Sequence, residues 1–336
     1  MKKVLITGAL GQIGSELTER LRNDLGPENV ISTDIRRIDG NPVVENGHFE
    51  VLDVKDFDAF LRIATANKVD TIIHLAALLS AKAEKNPAFA WELNMTGLIN
   101  ALEVARELGA GTKFFAPSSI AAYGPDADPD DTPQDTVMHP STIYGVTKVS
   151  GELLANYYYE RYDIDTRSVR FPGLISYKVA PGGGTTDYAV DIYYEALKHK
   201  KYRSPIADKT LMDMMYMDDA IDAVVKLMNA DPDKLIHRNA FNITSISFDP
   251  ESIATSIRRH IPDFELSYQV DPKLQKIADS WPNYINADDA ISEWGFCPKF
   301  DLDKMTDEML TQLSKKFQTE DIETMVQVEP SVKVGN

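Results

Sequence analysis

The chain has 336 residues, 43% hydrophobic and 26% charged, a length that suits one large domain or a large domain with a smaller lobe. Its net charge of −17, from 35 basic against 52 acidic residues, excludes a general affinity for nucleic acid or anionic membrane, which needs a basic surface. Cys297 is the single cysteine, which excludes an intramolecular disulfide and a thiolate-rich zinc site; the six histidines form no HxxxH pair, so no metal ligand set is expected.

A membrane span is not expected, since no run of about 18 apolar residues occurs. The opening MKK passes straight into VLITG, so a signal peptide is not expected. A reducing, cytoplasmic setting is the expectation, or a mitochondrial matrix if a transit peptide has been removed.

In chain order, KKVLITG (2–8) reads as a buried parallel strand. A helix over 12–26 follows, with Ile13, Leu17, Leu21 and Leu25 on one face and Gly26-Pro27 as its stop. Strands are predicted at 29–34, 48–53, 69–77, 112–119 and 165–173, with helices at 56–68, 87–108 and from the region of Tyr144 to about Tyr162. This alternation implies βαβ units with right-handed crossovers, hence an α/β fold of the doubly wound Rossmann type. After Gly173 the rhythm changes, with a glycine-rich loop at 180–189 and a possible returning strand at 240–245. The expected division is a dinucleotide-binding domain over 1–173, rejoined by about 216–247. A smaller C-terminal α/β substrate lobe takes 174–215 and 248–320, and 321–336 is a polar tail expected to fray.

TGALGQIG sets Gly8, Gly11 and Gly14 between the first strand and the first helix. Glycines there let the backbone turn sharply and approach a pyrophosphate resting on the helix N-terminus, where Gln12 and Ile13 open the first turn. Asp34, 20 residues beyond Gly14, is placed to accept hydrogen bonds from the adenosine ribose hydroxyls. No GK[ST] ending follows, so a nucleotide-triphosphate loop is excluded. The carboxylate at 34 points to NAD over NADP; Arg36 and Arg37 either soften that preference or are solvated loop charges.

STIYGVTK puts Tyr144 and Lys148 on one helix face. A neighbouring ammonium is expected to lower the phenol pKa from about 10, so that the tyrosine exchanges a proton with a substrate hydroxyl near neutral pH. The helix follows the fifth strand, whose PSS ending sets Ser118 and Ser119 at the carboxyl edge of the sheet, where ligands of such folds bind.

Together the glycines, Asp34, the serines and the Tyr-Lys pair resemble the extended branch of the short-chain dehydrogenase/reductase superfamily, over most of the chain. The resemblance implies a catalytic Ser or Thr 25 residues before the tyrosine, which selects Ser119 over Ser118. It further implies adenine contacts at Asp53 and Val54, contacts to the cofactor riboses from HLAALLS (74–80), with Leu75, Ala76 and Ala77, and a cofactor contact at Pro172. Dehydratases of this branch usually carry an Asp-Glu pair after the catalytic residue. Ile120 and Ala121 stand there and move no proton, which disfavours elimination. Sugar-nucleotide epimerases usually place an asparagine after the sixth strand and an arginine ahead of an acidic-aromatic segment; here Pro172-Gly173 and Met212 stand in those places. Two diphosphate contacts are missing, so a small substrate is expected, with an NDP-sugar epimerase or a dehydrogenase of another small hydroxy compound as the alternative.

PGGGTTDYA (181–189), MMYMDD (214–219) and ADSWPNYINADDAISEWGF (278–296) resemble, more narrowly, the L-threonine 3-dehydrogenase family. That resemblance implies NAD-dependent oxidation of L-threonine to 2-amino-3-oxobutyrate, which decarboxylates to aminoacetone or passes to a CoA-dependent ligase. It implies that ionised Tyr144 takes the hydroxyl proton, Lys148 holds the phenolate and a cofactor hydroxyl, and Ser119 steadies the developing carbonyl. A homodimer through the helices near 87–108 and 139–162 is likewise implied. A zwitterion of threonine size needs donors for its carboxylate and acceptors for its ammonium. Gly184, Thr185, Thr186 and Ser80 are candidate donors and Asp187 a candidate acceptor. Trp281 either walls the pocket or packs under the lobe, and Met212, Met214, Met215 and Met217 read as core.

Overall fold

Every residue of the first strand, Val4–Thr7, is buried in the centre of a parallel sheet, and the rest of the fold is arranged around it. The computed structural model describes residues 1–178 and 184–328, the stretch 319–328 as backbone only. In chain order its first half comprises β1 (Val4–Thr7), α1 (Gln12–Leu25), β2 (Val30–Asp34), α2 (Pro42–Glu45), β3 (Phe49–Val51), α3 (Phe57–Ala66), β4 (Thr71–His74), α4 (Ser80–Ala83), α5 (Pro87–Trp91), α6 (Gly97–Leu108), β5 (Lys113–Phe115), β6 (Ser118–Ser119) and α7 (Ile143–Tyr162). There follow β7 (Asp165–Arg167), β8 (Val169–Phe171), β9 (Gly173–Ile175), α8 (Tyr188–His199), β10 (Lys201–Ser204), β11 (Met212–Tyr216), α9 (Met217–Asn229), β12 (Phe241–Asn242), β13 (Ile246–Phe248), α10 (Pro250–Arg258), β14 (Glu265–Tyr268), α11 (Pro272–Ala278), α12 (Asp288–Trp294) and α13 (Leu302–Val328). None of the described helices is long and apolar enough to cross a membrane.

The six-stranded main sheet has the order β3-β2-β1-β4-β5-β7, all parallel, as a doubly wound fold requires. Val4 and Ile6 of β1 pack with Leu17 and Leu21 of α1 and with Val224 and Met228 of α9. Leu5, between them, faces the opposite core with Phe60 of α3, Leu102 of α6 and Phe114. Strand periodicity and two-sided burial thus come from the same three residues. Several helices begin where a side-chain oxygen accepts from a first-turn N–H: Asn41, Asp56, Thr142, Asp249 and Asp271 do so.

Two predicted strands are broken by proline. The run 112–119 divides at Ala116-Pro117, so that β5 stays in the main sheet while β6 pairs with β8. The run 165–173 divides into β7 in the main sheet, β8 between β6 and β12, and, beyond Pro172, β9 beside β11. Proline has no N–H to offer a ladder, so the chain changes partners there. The predicted returning strand at 240–245 is the short β12, paired with β8. The predicted helix over 87–108 contains a π-helical turn, Glu92–Thr96, between α5 and α6. A separate core gathers α8, α10, α13 and the inner side of β11, and the backbone of α13 runs through 321–328, where a fraying tail was expected.

Asp213 of β11 is fully buried. Thr244 donates to its Oδ1 at 2.6 Å and the Ile285 N–H to its Oδ2 at 3.0 Å, tying the segment after Trp281 to the strand. Burial pushes the Asp213 carboxyl up to about 8, the hydrogen bonds opposing it. An acid whose folded pKa is raised takes up a proton on folding, so its contribution to stability falls as pH rises from about 4 towards about 8. Asp213→Asn is expected to remove that part of the pH dependence: denaturant unfolding at about pH 5 and about pH 8 should differ less for the variant than for the parent.

Candidate active site

The glycine turn is built by close approach. Gly8 has φ +69°, and a Cβ there would lie 2.7 Å from the Ala76 N. A Cβ on Gly14 would lie 2.2 Å from the Gly8 carbonyl oxygen. Gly11, the cap of α1, has no side chain to occupy the first-turn N–H groups, and Gly8, Gly11, Gln12, Ile13 and Gly14 border a single cleft. Backbone donors at a bare helix N-terminus beside a tight turn fit a dinucleotide pyrophosphate. At the end of β2, Asp34 accepts from the N–H of Leu10 at 3.1 Å and of Ile35 at 2.9 Å, which holds its carboxylate at the turn. Arg37 is turned to Asp39 at 2.8 Å. Asp53 accepts from the Lys55 N–H at 2.9 Å, and Val54 is buried with its carbonyl bonded to Asn100; neither is among the described residues that border the cleft. Leu75 and Ala77 border it, while Ala76 presses its backbone against Gly8.

Across the cleft stand Ser119, Tyr144 and Lys148. Thr142 caps α7, accepting from the Gly145 N–H at 3.0 Å. Gly145 lets the helix abut the turn after Ser119, since a Cβ there would lie 2.1 Å from the Ala121 carbonyl. The Tyr144 hydroxyl is hydrogen-bonded to Ser119, whose Oγ also accepts from the Ala121 N–H at 3.2 Å. One turn on, Lys148 Nζ donates to the Pro117 carbonyl at 2.6 Å and lies 5.2 Å from the centre of the Tyr144 ring. Ser118 instead donates to Glu152.

The electrostatics correct one expectation. Burial, not the lysine, dominates: it pushes the Tyr144 hydroxyl up to about 12, against the Ser119 hydrogen bond, and pushes Lys148 down to about 8, against the charge of Glu152. A dry site penalises each charge alone, so phenolate and ammonium form most readily as a pair that titrates together.

The remaining expected contacts converge on the same cleft: Ser80, Pro172, Gly184, Thr185, Thr186 and Asp187 border it. Thr185 is buried, and its Oγ1 has no hydrogen-bond partner among the described residues. The Gly184 N–H donates to Asp187 at 2.8 Å. Residues 180–183 of the glycine-rich loop lie outside the described residues. Trp281 borders the cleft and also packs against the second lobe's core, so both readings of it hold. The four methionines are buried. Sequence reasoning missed Asn94, in the π-helical turn, which bonds the N–H and carbonyl of Leu78 at 2.7 and 3.1 Å and Thr147 of α7 at 3.3 Å. It thereby fixes the segment after β4 against the helix of Tyr144; only the pairing across 53 positions exposes that role. Away from the cleft, His237, Asp289 and Glu293 bring one ligand atom each within 4.8 Å, but Glu293 already accepts from the Ile236 N–H at 2.6 Å and from the His237 ring.

The model of the NAD dependent epimerase/dehydratase family matches residues 4–244. An uncharacterized epimerase/dehydratase of Staphylococcus haemolyticus is 55% identical over 318 residues, 95% of this chain and 99% of that protein. The L-threonine dehydrogenase of Clostridium difficile is 62% identical in a structural match with TM-score 0.92, covering 94% of this chain and 98% of that one. A monomeric L-threonine 3-dehydrogenase from a metagenome is 43% identical with TM-score 0.89, covering 93% and 99%.

Gly14→Ala forces a methyl group against the Gly8 carbonyl. Overpacking of this kind costs about 1–3 kcal/mol, so affinity for the dinucleotide is expected to fall roughly tenfold to a hundredfold. Titration of NADH fluorescence checks this; unchanged binding would show that the turn does not hold the cofactor.

Proposed function

The chain belongs to the NAD dependent epimerase/dehydratase family, and within it we propose that the protein oxidises L-threonine at the β-hydroxyl to 2-amino-3-oxobutyrate with NAD⁺. The observation that carries this reading is the 62% identity with an L-threonine dehydrogenase, across 94% of this chain, together with the Ser119–Tyr144 hydrogen bond at the cleft. NAD⁺, when bound, supplies the hydride acceptor. Gly8, Gly11, Gln12, Ile13 and Gly14 would hold its pyrophosphate and Asp34 its adenosine ribose.

The β-hydroxyl of the substrate sits between Ser119 Oγ and the Tyr144 oxygen. Tyr144 takes the hydroxyl proton as general base. Lys148 holds its positive charge beside the phenolate, and Ser119 donates to the oxygen as it becomes a carbonyl. Thr185, Thr186 and Ser80 offer hydroxyls to the carboxylate, and Asp187 faces the ammonium. With Tyr144 pushed up and Lys148 pushed down, turnover rises with pH as the phenol ionises and falls again as the ammonium is lost. Both apparent values belong to the pair.

The outer face of the long helices supports a homodimer. Val146, Leu153 and Tyr157 form an exposed stripe along α7, and Trp91 and Ile99 are exposed on α5 and α6. At 62% exposed, Leu153 is the residue that a second copy would cover most profitably.

Purified protein given NAD⁺ and L-threonine is expected to produce NADH, seen by absorbance, while UDP-galactose and simple alcohols produce none. Tyr144→Phe should lower kcat by about 100-fold or more and leave NADH binding intact; full turnover in that variant sinks the mechanism. Leu153→Glu should shift sedimentation from dimer to monomer, and a parent protein already monomeric refutes the interface.

A further inference from the structure

Tyr144, Lys148 and Glu152 recur at every fourth position of α7, so they share one face of the helix. Glu152 is 4% exposed. Its two oxygens are held from several sides: Arg170 Nε donates to Oε1 at 3.0 Å and Nη2 to Oε2 at 2.8 Å, and Ser118 Oγ donates to Oε1 as well. Arg170 is itself fixed, donating to the Tyr123 hydroxyl at 2.7 Å and to the Gln134 carbonyl at 2.8 Å, and Tyr123 donates on to Asn242 at 2.7 Å. The carboxylate is therefore clamped in one orientation. A buried ion pair adds little net stability over apolar residues of the same volume, so folding alone is a poor account of this clamp.

Lys148 borders two spaces, the cleft in front and a small enclosed cavity behind, and Glu152 borders only the rear one. The geometry points to Glu152 as a positioning residue for Lys148: a fixed negative charge behind the lysine that favours its ammonium form while Tyr144 takes the substrate proton. The inference rests on the reaction proposed above. Other groups facing the lysine do not serve this purpose. Tyr144, on the same helix, is the group the ammonium must serve. His74, at the end of β4, is pushed down to about 3 by burial and by Lys148 and stays neutral. Arg167 of β7, which also borders the rear cavity, is turned to Asp165 at 2.7 Å, and Arg170 of β8 is committed to Glu152. Glu152 is the charge that opposes the effect of burial on the lysine.

The test is the pH profile of kcat/KM for L-threonine at saturating NAD⁺, with kcat and KM resolved. Glu152→Gln keeps the shape and removes the charge, and is expected to move the alkaline limb down by about one pH unit, an approximately tenfold loss on that limb. The loss should lie mainly in kcat, with NADH affinity unchanged. Glu152→Asp, which keeps the charge but withdraws it, should move the limb in the same direction by less, and it decides the matter if the Gln variant does not fold. A lower rate with the limb at its parental position, in whichever of these variants folds, overturns the inference and leaves the clamp a structural one. A parent enzyme that yields no NADH overturns the reaction and the inference together, whereas an active parent with unmoved variants overturns the inference alone.

Discussion

β1 is hydrogen-bonded on both edges and covered on both faces, and this double burial is the constraint from which the site follows. A parallel strand enclosed in this way is accessible only at its ends, and in sheets of this kind ligands bind outside the carboxyl ends. The glycine turn after β1, Asp34 after β2, the 75–80 segment after β4 and the serines after β5 all emerge at that end. Because the strands are parallel, the glycine turn, the 75–80 segment and the serines, far apart in the chain, border one cleft without any of them needing a long loop.

The second lobe completes the cleft from a different direction. The chain leaves the main sheet after β7, and beyond Pro172 β9 pairs with β11, carrying it towards Thr185, Thr186 and Asp187. Asp213 on β11 holds the backbone of Ile285 and with it the segment on which Trp281 approaches the same space. Met212, where sugar-nucleotide enzymes of the family place an arginine, is buried in the lobe's core. A diphosphate would find no charged partner there, and a compact zwitterion needs none.

Within the cleft the decisive term is dehydration. Burial discourages both the phenolate of Tyr144 and the ammonium of Lys148, so in this dry site each charge favours formation of the other. The arrangement exchanges the stability of each charge in water for mutual dependence, which is what a group that accepts a proton only during reaction requires. The Arg170–Glu152 clamp extends this dependence one turn further into the core, linking α7 to β8 behind the site.

The sequence by itself determined what short-range pattern can encode: the strand-glycine-helix order, the acid at 34, and the four-residue spacing that puts Tyr144 and Lys148 on one face. Only the tertiary structure decided which serine meets the tyrosine, since Ser118 and Ser119 point to opposite sides of a strand and the positions of Glu152 and Tyr144 sort them. It likewise decided that the fifth and sixth strands break at Pro117 and Pro172, that Asn94 pins the segment beside the cofactor turn to α7, and that burial outweighs the lysine in setting the ionisation of Tyr144. Periodicity and spacing are properties of neighbours along the chain, whereas pairing across a sheet and exclusion of water are set by residues that meet only after the chain has folded.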